Sequence, residues 1–244
     1  MDISLNKFIS ETGFCSRREA DKLIESARVT INGKEAKKGN RVSENDIVKV
    51  DGQALKNKTV PVYLMLNKPK GITCTTDLKD KSNIIDFIGF KNRIFPIGRL
   101  DKLSEGLIFL TNDGDIVNKI LRAGNNHEKE YVVSVDKPLT KEFIKKMSEG
   151  VPILGTITKK CFIKQEGEKQ FRIILTQGLN RQIRRMCAAL GFKVVSLVRV
   201  RIMHITLAGL PKGKWRFFTQ KEIDEINSLI KNSSKVADTE GMGE

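Results

Sequence analysis

The apolar run GLIFLT at 106–111, closed by Asn112, Asp113 and Gly114, constrains the fold most strongly. Successive apolar positions leave no solvent face, so the run reads as a strand buried in a sheet. Other segments fit the same sheet. VPVYLMLN at 60–67 is a strand stopped by the turn residues Lys68-Pro69-Lys70-Gly71, and KEYVVSVD and QFRIILTQ alternate as strands. Between the strands lie helices with legible ends. DIVNKILRA is a short helix, Thr140 caps KEFIKKMSEG, which Gly150 closes, and Thr219-x-x-Glu222 opens QKEIDEINSLI. The texture from Val60 onward is therefore α+β, and 233–244 carries no apolar pattern and is expected to be disordered.

Residues 1–53 read as a separate module. ISLNKFISETGF carries Ile3, Leu5, Phe8 and Ile9 as an approximate helical stripe. Ser16-Arg17-Arg18-Glu19 has the spacing of a capping box, opening a helix whose buried face is Ala20, Leu23, Ile24 and Ala27. Arg18 and Lys22 lie one turn apart elsewhere on that helix. RVTINGKEA then reads as strand, Asn32-Gly33 turn, strand, and DIVKV with Asp51-Gly52 repeats the style. The stretch LNKFISETGFCSRREADKLIESARVTINGK resembles the S4-like RNA-binding domain, in which the Ser-Arg-Arg stretch and its helix face the RNA backbone. A helix N-terminus beside Arg17 and Arg18 is also a reasonable phosphate site on physical grounds. KNKTVPV is a polar linker between this module and the α+β region.

Charge narrows the partners. The 244 residues hold 44 Lys and Arg against 29 Asp and Glu, a formal charge of +15, which favours an anionic polymer. A membrane surface would require a basic amphipathic helix with a broad apolar face, and none is visible. There is no apolar leader and no apolar stretch long enough to span a bilayer, so the expected location is cytoplasmic. Cys15, Cys74, Cys161 and Cys187 lie far apart with no C-x-x-C pair, and only His127 and His204 could assist them. No metal site and no disulfide framework is expected.

Three stretches could carry chemistry. In GLNRQIRRMCAALG, Ile183, Met186, Cys187 and Leu190 form one helical face, ended by Gly191. Arg181 and Arg185 point away from that face and Arg184 falls on its flank, where it could reach a carboxylate in a cleft. In IFPIGRLDKLSEGLIFLTNDG, Asp101 sits in a loop between two apolar runs. In HEKEYVVSV, Tyr131, one of only two tyrosines, enters a strand. Helix geometry, turn chemistry and strand packing each offer a purely structural account of these residues taken singly.

In this order, after an S4-like module and the segment LNKPKG, the stretches IGRLDKLSEGLIFLTNDG, KEYVVSV and QGLNRQIRRM resemble the pseudouridine synthases that modify ribosomal RNA. ILRAGNNHEKEYVVSVDKP and MSEGVPILGTITKKC draw the resemblance toward the F-type branch acting on the large subunit. It covers roughly residues 3–232. It implies an S4-like domain at 1–59 and a catalytic domain at 60–232, built on a mixed, mainly antiparallel sheet flanked by helices. It also implies that Asp101 is the essential catalytic residue, that Tyr131 stacks on the target base, and that Arg184 pairs with Asp101. Leu175 is matched to the apolar residue beneath the tyrosine ring. Arg17, Arg18, Lys22, Arg99, Asn180 and Arg181 are the expected RNA contacts. Many relatives have His where Arg181 stands, which leaves its role between RNA contact and structural support. The reaction needs no cofactor, and the expected partner is large-subunit ribosomal RNA, with tRNA as an additional substrate of this branch and a monomeric protein. The competing readings are the same chemistry on another RNA and a non-catalytic ribosome-assembly factor.

Overall fold

The computed structural model describes residues 2–55, 59–121 and 125–231; the expected disordered tail and the first three residues of the KNKTVPV linker lie outside the described residues. The chain divides into two compact units. One comprises the chain up to Val62 with Phe90–Ile94 and Asn112–Gly114; the other comprises Tyr63–Gly89, Phe95–Thr111 and the chain from Asp115 onward.

The first unit contains β1 (Ile3–Ser4), α1 (Leu5–Glu11), α2 (Arg17–Glu25), β2 (Val29–Ile31), β3 (Lys34–Glu35), β4 (Arg41–Val42), β5 (Val48–Val50) and β6 (Gln53–Ala54). Ser16 and Glu19 form the expected reciprocal cap: the Ser16 amide donates to the Glu19 carboxylate at 2.7 Å, and the Glu19 amide to Ser16 Oγ at 3.2 Å. Those two amides are thereby used, so Arg17 and Arg18 are what this helix end presents outward. Ile3 departs from the expected helical stripe. Ser4 is extended, so Ile3 pairs with Val42 across β1 and β4 instead. Asn32 and Gly33, at φ 51° and 82°, make the two-residue turn between β2 and β3; Asp51 and Gly52 do the same between β5 and β6. Leu5, Ile9, Ala20, Ile24, Val29 and Val50 lie in the core between these helices and strands.

The second unit is built on one nine-stranded sheet. Its elements are β7 (Tyr63–Lys68), α3 (Ile84–Ile88), β8 (Phe95–Ile97), β9 (Glu105–Thr111), α4 (Gly114–Leu121), β10 (Lys129–Val135), α5 (Lys141–Glu149), β11 (Pro152–Ile153) and β12 (Thr156–Ile157). They continue with β13 (Phe162–Gly167), β14 (Gln170–Leu175), α6 (Gln182–Ala189), β15 (Val194–Ile202), β16 (Ile205–Thr206), β17 (Trp215–Phe217) and α7 (Gln220–Ile230). The strand order is β13-β14-β10-β15-β9-β7-β17, with β8 beside β9 and β16 beside β15, while β11 and β12 form a separate hairpin. Among the described strands of this sheet only β9 and β15 pair in parallel, so the sheet is mixed and mainly antiparallel, as expected. The first strand of this unit starts at Tyr63 rather than Val60.

All seven residues of β9 are buried, including Leu107, Ile108, Phe109 and Leu110. Each such side chain contributes roughly 1.5–3 kcal/mol relative to exposure. Gly106 at its start cannot be replaced: a Cβ there would lie 2.2 Å from the Arg199 carbonyl of β15. Val133, Phe143, Met147, Phe171, Ile183 and Met186 form one core, and Met65, Phe109, Ile120, Phe218 and Ile226 form another. No helix among the described residues is long and apolar enough to cross a membrane.

Candidate active site

Asp101 lies on the loop between β8 and β9. Its local geometry is that of an Asx turn: Oδ1 accepts from the Leu103 amide at 3.1 Å, and the Ser104 amide donates to the Asp101 carbonyl at 3.0 Å. The loop is tied to the Lys68-Pro69-Lys70-Gly71 turn, because the Gly71 amide donates to the Lys102 carbonyl at 2.8 Å.

Arg184 comes from α6, whose two ends are specified locally. Arg181 precedes the helix with φ 49°, and its side chain makes no cap. Gln182 supplies the order instead, its buried Oε1 accepting from the Leu179 amide at 3.0 Å. At the other end, the Phe192 amide reaches Cys187 O and the Gly191 amide reaches Ala188 O, with Gly191 at φ 77°, a Schellman close. Ile183, Met186 and Cys187 are buried as their spacing predicts, which fixes the rotation of the helix and turns Arg184 toward Asp101.

The pair is direct. Arg184 Nε donates to Asp101 Oδ2 at 3.1 Å, Nη2 to Ser104 Oγ at 3.1 Å, and Nη1 to the Val194 carbonyl at 3.5 Å. The two side chains are 24% (Asp101) and 12% (Arg184) exposed, so the carboxylate remains reachable. Burial raises the Asp101 carboxyl, but the Ser104 hydroxyl, the Arg184 charge and hydrogen bond, and the Leu103 amide outweigh it, leaving the group below the usual carboxylate value. Asp101 is therefore an ionised, oriented carboxylate at neutral pH.

Tyr131 lies on β10, directly opposite Ile173 of β14 and Arg199 of β15. It is half-buried and packs against the core that includes Ile173 and Leu175. Leu175 shares its face but stands opposite Lys129, two pairs along, so Ile173 is the nearer strand neighbour. No hydrogen bond joins Tyr131 to Asp101 or Arg184. Asn180 is engaged by Arg185, which donates to its carbonyl at 3.0 Å and to its side-chain oxygen at 3.1 Å. Arg99 and Arg181 are exposed in this unit; Arg17, Arg18 and Lys22 are exposed on α2 of the other.

Four residues near this site were not singled out from sequence. Ser104 is one, shared between the arginine and the carboxylate. The others are basic and buried: Lys68, Lys129 and Arg199. Lys68 pairs with Gly106, Gly106 with Arg199, and Arg199 with Tyr131, so one row across β7, β9, β15 and β10 carries two buried cations, with Arg199 next to the tyrosine and Lys68 at the far end. Lys68 Nζ donates to the carbonyls of Pro69 and Ile72, both at 2.9 Å, pinning the turn that holds the Asp101 loop. Burial, and then Arg199, bring Lys129 down to about 8. A bulge in β15 is what lets Arg199 face Tyr131 while Arg201 turns to Glu130.

Comparison with known proteins matches this arrangement. The family model for RNA pseudouridylate synthase matches residues 62–189, and the S4 domain model matches 4–48. The dual-specificity RNA pseudouridine synthase RluF of Escherichia coli (strain K12) is 57% identical over 234 residues, covering 95% of this chain and 81% of the relative. The ribosomal large subunit pseudouridine synthase B of Bacillus subtilis (strain 168) is 36% identical, covering 92% and 96%. A solved pseudouridylate synthase superposes with a TM-score of 0.68 at 31% identity, over 92% of this chain and 99% of that one. The buried β9 strand, the oriented carboxylate at its entrance and an S4 domain ahead of them thus belong together: this chain is a member of the RNA pseudouridylate synthase family.

Proposed function

We propose that the chain isomerises a specific uridine of large-subunit ribosomal RNA to pseudouridine, with Asp101 as the reacting group. The observation that carries this reading is the Arg184–Asp101 contact, 3.1 Å from guanidinium to carboxylate. In the reaction the bond from ribose C1′ to uracil N1 breaks, the base turns, and C1′ bonds to C5. The C5 proton leaves and N1 gains one, so atoms and electrons balance without a co-reactant. An ionised carboxylate can serve by adding to the sugar or by taking a ribose proton, and a neighbouring cation keeps it charged. Tyr131 holds the detached base against its ring, with Leu175 supporting it from the same sheet face. The target must leave its stack to reach Asp101, as for other enzymes acting on a base.

Arg17, Arg18 and Lys22 of the S4 domain, with Arg99, Asn180 and Arg181 of the catalytic domain, make the RNA contacts. The domains divide at 59/60, and the protein works as a monomer in the cytoplasm. A second substrate, tRNA, is included because the RluF relatives are described as dual-specificity enzymes. Chemical mapping of pseudouridine in separate large-subunit rRNA, small-subunit rRNA and tRNA transcripts after incubation with the protein tests the assignment. New pseudouridine at one large-subunit position, with or without one in tRNA, is expected. Modification confined to small-subunit rRNA would overturn it.

A further inference from the structure

The hairpin of β11 and β12 breaks two rules at once. Its two-residue turn is Leu154-Gly155, with Leu154 at φ 51° and Gly155 at φ 74°. Left-handed backbone suits Gly and Asn, whereas a bulky apolar side chain is strained there. That strain is not offset by burial, because Leu154 is 53% exposed and Ile157 is 70% exposed. The hairpin's base is nonetheless firmly held. Ile153 is buried in the core, and the Val151 amide donates to Thr158 Oγ1 at 2.9 Å. A Cβ on Gly150 would lie 2.5 Å from the Thr158 carbonyl. A rigid mount that holds a strained, solvent-facing apolar tip is the pattern expected of a contact surface.

Its surroundings indicate what it contacts. The Lys159 amide donates to Gln177 Oε1 at 3.1 Å, and Gln182 Nε2 approaches the same oxygen at 3.4 Å. Gln177 thus couples the hairpin to the loop that opens α6, where Arg181 and Arg185 are exposed. Lys159, Lys160 and Lys164 are exposed as well; Glu149 is the nearest preceding acid in sequence, and the next is Glu166. Apolar side chains set among cations fit a partner with phosphates and unstacked base faces.

We propose that the β11–β12 hairpin reads the RNA substrate, with Leu154 and Ile157 pressed against bases that lie outside a regular helix while Lys159 and Lys160 take phosphates. This rests on the reading of the protein as an enzyme acting on RNA. Apolar contacts of this kind add affinity without releasing counterions, so their loss leaves the salt dependence of binding untouched.

The test uses the full chain and a labelled large-subunit rRNA transcript, with binding followed across a salt series and Tm measured alongside. Leu154→Asn relieves the backbone, so Tm should hold or rise while affinity falls roughly fivefold at constant salt slope. Ile157→Thr, at an exposed strand position, provides the same affinity readout without altering the turn. Lys159→Gln with Lys160→Gln should instead reduce the salt slope by about one to two. Wild-type affinity in both apolar variants would overturn the proposal. So would a self-association of the wild type that these variants abolish while binding RNA normally. If the wild type itself neither binds nor modifies any RNA transcript, the underlying reading of an RNA enzyme fails, independently of the hairpin.

Discussion

Arg184 holds Asp101 through Nε while its Nη2 holds Ser104, so one guanidinium spans both ends of the Asp-Lys-Leu-Ser turn at the entrance to β9. The carboxylate is fixed in orientation and charge by the same contact. Removing it leaves only the Ser104 and Leu103 hydrogen bonds to oppose burial, so the Asp101 carboxyl should move upward. Arg184→Gln should lower turnover by about a hundredfold or more and move the acid limb of the pH–rate profile to higher pH. An unmoved acid limb would mean that Arg184 does not set the ionisation of the reacting group.

The Tyr131 hydroxyl has no hydrogen bond among the described residues, whereas its ring packs on the core beside Ile173 and Leu175. That leaves the hydroxyl for the substrate. Tyr131→Phe should therefore cost roughly a hundredfold in turnover with little change in Tm, since proton-transfer groups contribute on this scale. A loss below threefold would assign the tyrosine to stacking alone.

Lys129 is a buried cation whose folded value, about 8, lies below its ordinary 10.5. The folded state then holds its proton less tightly than the unfolded chain does. The cost to stability is absent above about pH 10.5, grows as pH falls, and is complete below about pH 8. Lys129→Met removes that cost but also the hydrogen bond to the His127 carbonyl at 3.0 Å. The net gain at pH 7 should be about 1–2 kcal/mol, shrinking toward pH 10.5. Urea unfolding at the two pH values measures it, and equal effects at both would contradict the assignment.

Glu222 illustrates the opposite sign. The Arg216 hydrogen bond outweighs burial, and with the Thr219 cap brings Glu222 to about 2 from 4.5. Its contribution is present above about pH 4.5 and is lost as pH falls toward about 2. Because Arg216 is partly exposed, Glu222→Gln should cost only about 1–2 kcal/mol at pH 7. The difference from wild type should vanish in acid unfolding near pH 2; a difference persisting there would point to packing instead.

What could be read from the sequence was what is decided locally. Ser16 with Glu19 and Thr219 with Glu222 bond within one helical turn, so their spacing carries the information. Asn32-Gly33 and Gly191 announce their backbone directly, and the apolar face of α6 fixed where Arg184 would lie. The resemblance, rather than any spacing, supplied Asp101 as its partner. The row Lys68, Gly106, Arg199 and Tyr131 had no such signal, because it exists only once β7, β9, β15 and β10 are neighbours and β15 has bulged. A lysine ending a strand otherwise reads as a solvated turn residue, and nothing in LNKPKG says that its side chain is fully buried. Ile3 leaves the helical stripe for a smaller reason: one extended serine separates it from the helix its spacing suggested.

The most direct measurement is tritium release from ribosomal RNA labelled at C5 of uridine, with no cofactor or metal added, for the wild type and Asp101→Asn side by side. Isomerisation exchanges that hydrogen, and the asparagine keeps the shape of the side chain while removing the reacting oxygen and its charge. Release by the wild type, none above background for Asp101→Asn, and comparable binding of the RNA by both are the predicted results. Substantial release by Asp101→Asn would remove Asp101 from the reaction and contradict the central claim.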